Sequence, residues 1–198
     1  MKSFFCALLV ASVLAGCASL PAPSQPDMAG PTLVARGQFT MSGRFSAKNE
    51  REQVSGQFRY AETPAIRTLS LFSPLGTAVA DIVATGGTVT LTQANGTTQS
   101  AASVSELLRT VIDLPVTDRA LSFWLQGLPA AYGHAGRADL SNMELDPSGR
   151  PSRFVEAGWE IAIAERFADT GGPRRMRWSL AGQPETEVRW VIDAWSTP

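Results

Sequence analysis

The sequence predicts an α+β domain in which one antiparallel sheet carries two short helices across one face. Three observations lead there. Apolar and polar residues alternate with period two in short runs across residues 39–195. The runs are separated by turns of hairpin length, which implies antiparallel neighbours because parallel strands need long crossovers. Two stretches near the middle of the chain abandon the alternation and carry helix caps instead. Composition agrees with one domain plus a short appendage: 198 residues, 44% hydrophobic, 18% charged, with a net charge of −1. Such a chain is too apolar to be disordered, and it lacks the basic face that nucleic-acid binding requires.

Residues 1–16 read as a signal peptide. Lys2 gives a positive start, and Phe4 to Leu14 forms a nearly unbroken apolar run. That run is too short to span a bilayer, which takes about 20 apolar residues. The following Leu14-Ala15-Gly16-Cys17 resembles the bacterial lipoprotein lipobox. The resemblance implies cleavage before Cys17 and acylation, palmitate included, of its sulfur and its new amino group. The alternative is an ordinary signal peptide with an incidental cysteine, but an A-x-A cleavage site is less well placed. Ala18 stands where an aspartate retains enterobacterial lipoproteins at the inner membrane, so export to the outer membrane is expected. Residues 17–32 are then the lipidated cysteine and a tether, kept extended by Pro21, Pro23, Pro26 and Pro31. Once Lys2 leaves with the signal, the 17 basic residues become 16, against 18 acidic ones. No surplus of positive charge draws the domain onto an anionic bilayer.

The folded domain is expected over residues 33–198. Phe39, Met41, Gly43 and Phe45 share one face of a first strand, and Val54, Gly56, Phe58 and Tyr60 one face of the next. Leu69 and Leu71 belong to a third strand that runs into Ser73-Pro74-Leu75-Gly76. Ala78, Ala80 and Ile82 then oppose Val79, Asp81 and Val83. Val89 and Leu91 alternate with threonines up to Asn95-Gly96, a strong hairpin-turn signal. Ser103-Val104-Ser105-Glu106 is a capping box ahead of a helix whose stripe is Leu107, Leu108, Val111 and Ile112. Thr117 or Asp118 caps a second helix with Leu121, Trp124 and Leu125, closed by Gly127. Later strands are Met143–Leu145, Trp159–Phe167, Arg175–Leu180 and Glu187–Trp195, with turns at Asp146-Pro147-Ser148-Gly149 and Gly171-Gly172-Pro173. Strands curling around the helices would make an incomplete barrel, whose interior is either a core or a cavity.

Most catalytic chemistry finds no foothold, and no catalytic residue, metal site or cofactor is expected. Both cysteines, Cys6 and Cys17, lie in the first 17 residues, which removes disulfide frameworks and cysteine-ligated metals from the body. Beyond the signal the one lysine is Lys48, followed by Asn49, so there is no P-loop; G-x-S-x-G, H-E-x-x-H and the dinucleotide fingerprint are also missing. The single histidine, His134, sits in a turn-like Tyr132-Gly133-His134-Ala135-Gly136. Glu50 with Glu52 and Glu185 with Glu187 read as solvated faces, and the basic cluster of Arg174, Arg175 and Arg177 reads as decoration of an exposed strand, with phosphate head groups as the alternative. The apolar residues say more. Trp124, Trp159, Trp178, Trp190 and Trp195 suit either a core or the wall of an apolar pocket. Leu75 occupies a turn where polar residues are usual, so it is either exposed for a purpose or folded back onto the core.

Several segments in order carry a family resemblance. They are the lipobox, Ser42-Gly43-Arg44-Phe45, Ser73-Pro74-Leu75-Gly76, Leu114-Pro115-Val116, Trp124-Leu125-Gln126-Gly127-Leu128-Pro129, Gly158-Trp159, and the last strand with Trp190 and Trp195. Together they resemble the LolB family, the outer-membrane lipoprotein receptors of the Lol pathway. The resemblance implies a curved antiparallel sheet forming a half-open barrel, lidded by helices, with a hydrophobic cavity. It also implies a monomeric, lipid-anchored receptor on the outer membrane, its domain facing the periplasm. Such a receptor accepts acylated lipoprotein cargo from the soluble carrier LolA and inserts it into outer-membrane lipid without nucleotide hydrolysis. Pro74, Leu75 and Gly76 match the membrane-insertion loop, and Leu121, Trp124, Leu125, Trp159, Trp178 and Trp190 become candidates for cavity or lid. There are departures: the segment before the first strand is short, Glu156 replaces a glutamine and Ala164 a tyrosine. The competing expectation is an envelope scaffold lipoprotein with a packed, cavity-free sheet and a buried Leu75.

Overall fold

A computed structural model of the chain describes residues 35–112, 115–131 and 140–197. Residues 1–34, which include the expected signal peptide, Cys17 and the expected tether, lie outside the described residues, as does His134. Among the described residues, eleven strands form one antiparallel sheet in the order β6-β5-β4-β3-β2-β1-β11-β10-β9-β8-β7. The first meander is β1 (Phe39–Lys48), β2 (Gln53–Glu62), β3 (Ile66–Phe72), β4 (Ala78–Thr85), β5 (Thr88–Gln93) and β6 (Thr98–Ala101). The second is β7 (Leu140–Leu145), β8 (Pro151–Glu156), β9 (Trp159–Arg166), β10 (Pro173–Leu180) and β11 (Gln183–Ser196). Within each meander every strand pairs with its neighbour in sequence, and β1 zips the two meanders together along β11. The edges of the sheet are therefore β6 and β7, the strands that flank the helical segment in the chain. Helices α1 (Val104–Ile112) and α2 (Asp118–Leu125) lie in that interval, and their buried apolar residues share one core with the inner face of the sheet. The sheet curls around them without closing, so the expected α+β class and half-open barrel are what the chain adopts.

The alternation read from the sequence sets which side chains turn inward. Phe39, Met41, Phe58, Tyr60, Leu69, Ile82, Val89 and Leu91 are buried, whereas Val83 on the opposite face of β4 is exposed. Gly43 lies where β1 meets β11 across a register shift at Ser42/Gly43, and a Cβ there would stand 2.1 Å from the Val191 carbonyl oxygen. Only glycine allows the seam to close at that point, and the bulge adds the bend that curls the sheet.

Both helices start as their caps predict. The Ser103 hydroxyl accepts from the Glu106 N–H at 3.1 Å, and the Glu106 carboxylate accepts from the Ala102 N–H at 3.0 Å. Thr117 caps α2 by accepting from the Ala120 N–H at 3.1 Å. Asp118 then serves α1 as well, taking the Val104 and Ser105 N–H groups at 3.2 and 2.8 Å. An anion at that end also meets the positive pole of the α1 dipole. Gly127 ends α2 with φ +68°.

Two strands, β6 and β8, were not expected. The four residues of β6 are Thr-Gln-Ser-Ala, with no apolar period to read, and pairing to β5 alone makes them a strand. In β8, only Pro151, Phe154 and Glu156 are buried, so the inward pattern contains a charged residue and no alternation of apolar ones.

Candidate functional site

Between the inner face of β1–β5 and α1 lies an apolar cavity of about 640 Å³. Phe45, Val54, Leu71, Ile82 and Leu91 wall it on the sheet side, and Leu107 and Leu108 on the helix side. Phe72, Ser73, Pro74 and Val79 line it where β3 turns into β4, and Glu52, Ser55, Gln93 and Asn95 add polar groups. The volume falls in the usual range of small-ligand sites, roughly 300–1,000 Å³, and the balance of greasy walls with a few polar groups is that of such sites. The sequence put Phe45, Val54, Leu71, Ile82 and Leu91 at alternating positions of strands and Leu107 and Leu108 on the stripe of a helix, while Phe72, Pro74 and Val79 were not marked as a wall. Whether such residues meet one another or enclose a void depends on where α1 stands over the sheet, and residue type does not encode that distance.

The β3–β4 turn leaves the sheet directly from this cavity. Ser73 N–H donates to the Thr77 carbonyl at 2.8 Å, and Gly76 N–H to the Ser73 carbonyl at 2.9 Å. Thr77 N–H donates to the Ser73 hydroxyl at 3.2 Å, and Gly76 holds φ +86°. Pro74 faces the cavity, while Leu75 at the tip has 95% of its surface exposed. A leucine in full contact with water forgoes the burial that normally stabilises it by about 1.5–3 kcal/mol. These hydrogen bonds hold the turn in a shape that keeps Leu75 at its tip.

The other candidate residues occupy the second half of the interior. Leu121, Trp124 and Leu125 are on α2, Trp159 on β9, Trp178 on β10 and Trp190 on β11, and all six are buried. Trp124 meets Trp178 edge-on at 5.6 Å, Trp178 meets Trp190 at 5.2 Å, and Trp190 meets Phe58 edge-on at 5.0 Å. These rings form a packed column, and the cavity is lined by other residues. Trp190 stands one ring behind its wall, 6.0 Å from Phe45. The indole N–H of Trp124 donates to Glu156 at 2.6 Å and that of Trp159 to the Pro115 carbonyl at 3.2 Å. The column has a polar clamp that the sequence reading missed. Glu156, 5% exposed, also accepts from Ala130 N–H at 2.7 Å and Ala131 N–H at 2.5 Å, tying the chain after α2 to β8. The sequence flagged this position only as a departure from a family pattern.

Several charges elsewhere are paired. Arg174 and Arg175 reach Glu165 at 2.8 and 3.0 Å, and Arg177 lies 3.8 Å from Glu160. Glu187, expected on a solvated face, is instead buried and receives Arg189 at 2.5 Å. Ser122 O–H and Tyr60 O–H donate to Glu62 at 2.8 and 2.6 Å, and burial together with that carboxylate pushes the Tyr60 phenol well above its usual range. Among the described residues no cluster of histidine, cysteine and carboxylates is arranged to hold a metal. No described helix is long and apolar enough to cross a membrane.

Residues 37–195 match the family model "Outer membrane lipoprotein LolB". The chain is similar to "Outer-membrane lipoprotein LolB" of Thiobacillus denitrificans, 32% identical over 95% of this chain and 94% of that protein. It is 31% identical to the protein of that name from Halorhodospira halophila, over 96% of this chain and 92% of the relative. The protein of that name from Bordetella petrii is 32% identical over 81% and 76%. Among solved structures, a LolA superfamily protein from Nitrosomonas europaea shares the fold with a TM-score of 0.51. It is 9% identical and covers 86% of this chain and 90% of its own.

Proposed function

Since the chain belongs to the LolB family of outer-membrane lipoproteins, we propose that it is the receptor that takes lipoproteins from a periplasmic, LolA-like carrier and inserts them into the outer membrane. The observation that carries this reading is the junction of an apolar cavity of about 640 Å³ with a hydrogen-bonded turn whose tip leucine is 95% exposed. The cavity between α1 and β1–β5 shelters acyl chains, and Leu75 meets the bilayer first. The aromatic column of Trp124, Trp178 and Trp190 is the packed support behind the cavity, and α2 is the fixed part of the lid.

The energetics require such an enclosure. Each CH₂ group of an acyl chain costs about 0.8 kcal/mol when moved from hydrocarbon to water, so the chains must pass from one apolar shelter to the next. Without nucleotide hydrolysis, direction comes from affinity that rises from carrier to receptor to membrane. An open, partly polar cavity suits the middle place in that series. Acylation of Cys17 at the end of a proline-rich tether keeps the domain at the periplasmic face of the outer membrane, within reach of both carrier and lipid. The cavity and the exposed Leu75 count against an envelope scaffold with a packed sheet.

Leu75→Glu tests the reading. Leu75 touches no core, so this variant keeps the fold and accepts cargo from the carrier, but its insertion of cargo into vesicles is blocked. Insertion at the wild-type rate by Leu75→Glu would remove the turn from the mechanism.

A further inference from the structure

We infer that Gln57 of β2 is a positioning residue for the Leu75 turn. Gly56 lets the end of β3 settle onto β2, and the Gln57 amide hooks the turn so that Leu75 projects in one fixed direction. The inference rests on Leu75 being the insertion element and adds what aims it.

The hydrogen bonds inside Ser73–Thr77 fix the shape of the turn, but they leave its direction open. That direction needs fixing, because the strands beneath it are irregular. Leu71 pairs with Ala80 and Phe72 with Ala78, so Val79 is an extra residue at the base of the hairpin. A bulge of this kind bends and twists a two-stranded tip. Two contacts from β2 then decide where the bent tip lies. Gln57 sits directly opposite Phe72 in the β2–β3 register, and its Nε2 donates to the Pro74 carbonyl at 3.1 Å. Beside it, a Cβ on Gly56 would stand 2.2 Å from the Phe72 carbonyl oxygen. The carbonyl occupies the space that any other residue of β2 would fill, so the approach of β3 at the root of the turn depends on glycine.

An aimed leucine has a kinetic advantage. A tip that swings freely must be ordered each time it engages the bilayer, and preorganisation removes that entropy cost. Gln57 is exposed on the outer face and is not among the residues that line the cavity, so losing its hook leaves the acyl shelter intact.

The test uses the full-length lipidated protein in vesicles of phosphatidylethanolamine and phosphatidylglycerol, with a triacylated lipoprotein supplied on its LolA-like carrier. Cargo acceptance and cargo insertion are measured separately for Gln57→Ala, Gln57→Glu, Gln57→Arg and Leu75→Glu. Alanine and glutamate cannot donate to the Pro74 carbonyl, so both slow insertion roughly three- to tenfold, the scale of one lost hydrogen bond, with acceptance unchanged. Arginine keeps a long donor and restores insertion toward wild type. Wild-type insertion by Gln57→Ala, beside a blocked Leu75→Glu, overturns the positioning role and leaves the insertion turn standing. Normal insertion by Leu75→Glu overturns the turn itself. Acceptance and insertion falling together in Gln57→Ala would show a general structural role and also overturn the inference.

Discussion

Two residues mark the extremes of what the fold does with its side chains. Leu75 places an apolar side chain in water, and Glu156 places a carboxylate in the core. Glu156 is stable there because three N–H groups, from Trp124, Ala130 and Ala131, converge on it. Truncating an acceptor strands its donors, at about 1–3 kcal/mol for each buried group left unsatisfied. Glu156→Ala should therefore lower unfolding stability by about 3 kcal/mol or more, and Glu156→Gln by about 1 kcal/mol, since its amide oxygen still serves part of the set. Urea unfolding midpoints check both values. The exposed leucine was legible in the sequence as an oddity, because proline and glycine on either side announce a turn. The buried glutamate was not, since its partners lie 25 to 32 residues away in sequence and two of them are backbone groups with no residue signature.

At the scale of elements, the two helices have different duties. α2 is fastened on several sides: Trp124 to β8 through Glu156, and Ser122 to Glu62 of β2. α1 is held at its N-terminus by Asp118 and presents Leu107 and Leu108 to the cavity. Leu108 is only half-buried, so a charge there is tolerated by the fold but not by an acyl chain in the cavity. Leu108→Glu should weaken binding of a fluorescent fatty-acid probe roughly tenfold or more, with circular dichroism and melting close to wild type. A fall in helix or strand content matching the loss of probe would instead make α1 a core element. Caps and stripes placed both helices from the sequence, because those rules are local. The difference in duty was not legible, because it depends on the tertiary partners of each helix.

For the whole molecule, topology explains why a cavity exists. The first and last strands meet in the middle of the sheet, which leaves β6 and β7 as its edges, and α1 and α2, which lie between them in sequence, pack on the concave face. Alternation in the sequence assigned faces to the strands of the first meander, whereas the second was legible only as strand spans, with β8 missing from them. In the folded molecule the tryptophans of β9–β11 pack against α2, whereas Phe45, Val54, Leu71 and Leu91 face open space beneath α1. Aromatic bulk drew attention to the tryptophans, yet the cavity is walled by smaller side chains that leave room. The central claim is that cargo acyl chains occupy this space during transfer. It is tested most directly by a photo-crosslinking amino acid placed at Leu108 in the cavity or at exposed Val83 on the outer face, with labelled lipoprotein delivered by the carrier. The account predicts a cargo adduct at position 108 that appears on delivery, fades as insertion proceeds, and is absent at position 83. Transfer that proceeds with no adduct at 108, or with equal adducts at both positions, would contradict it.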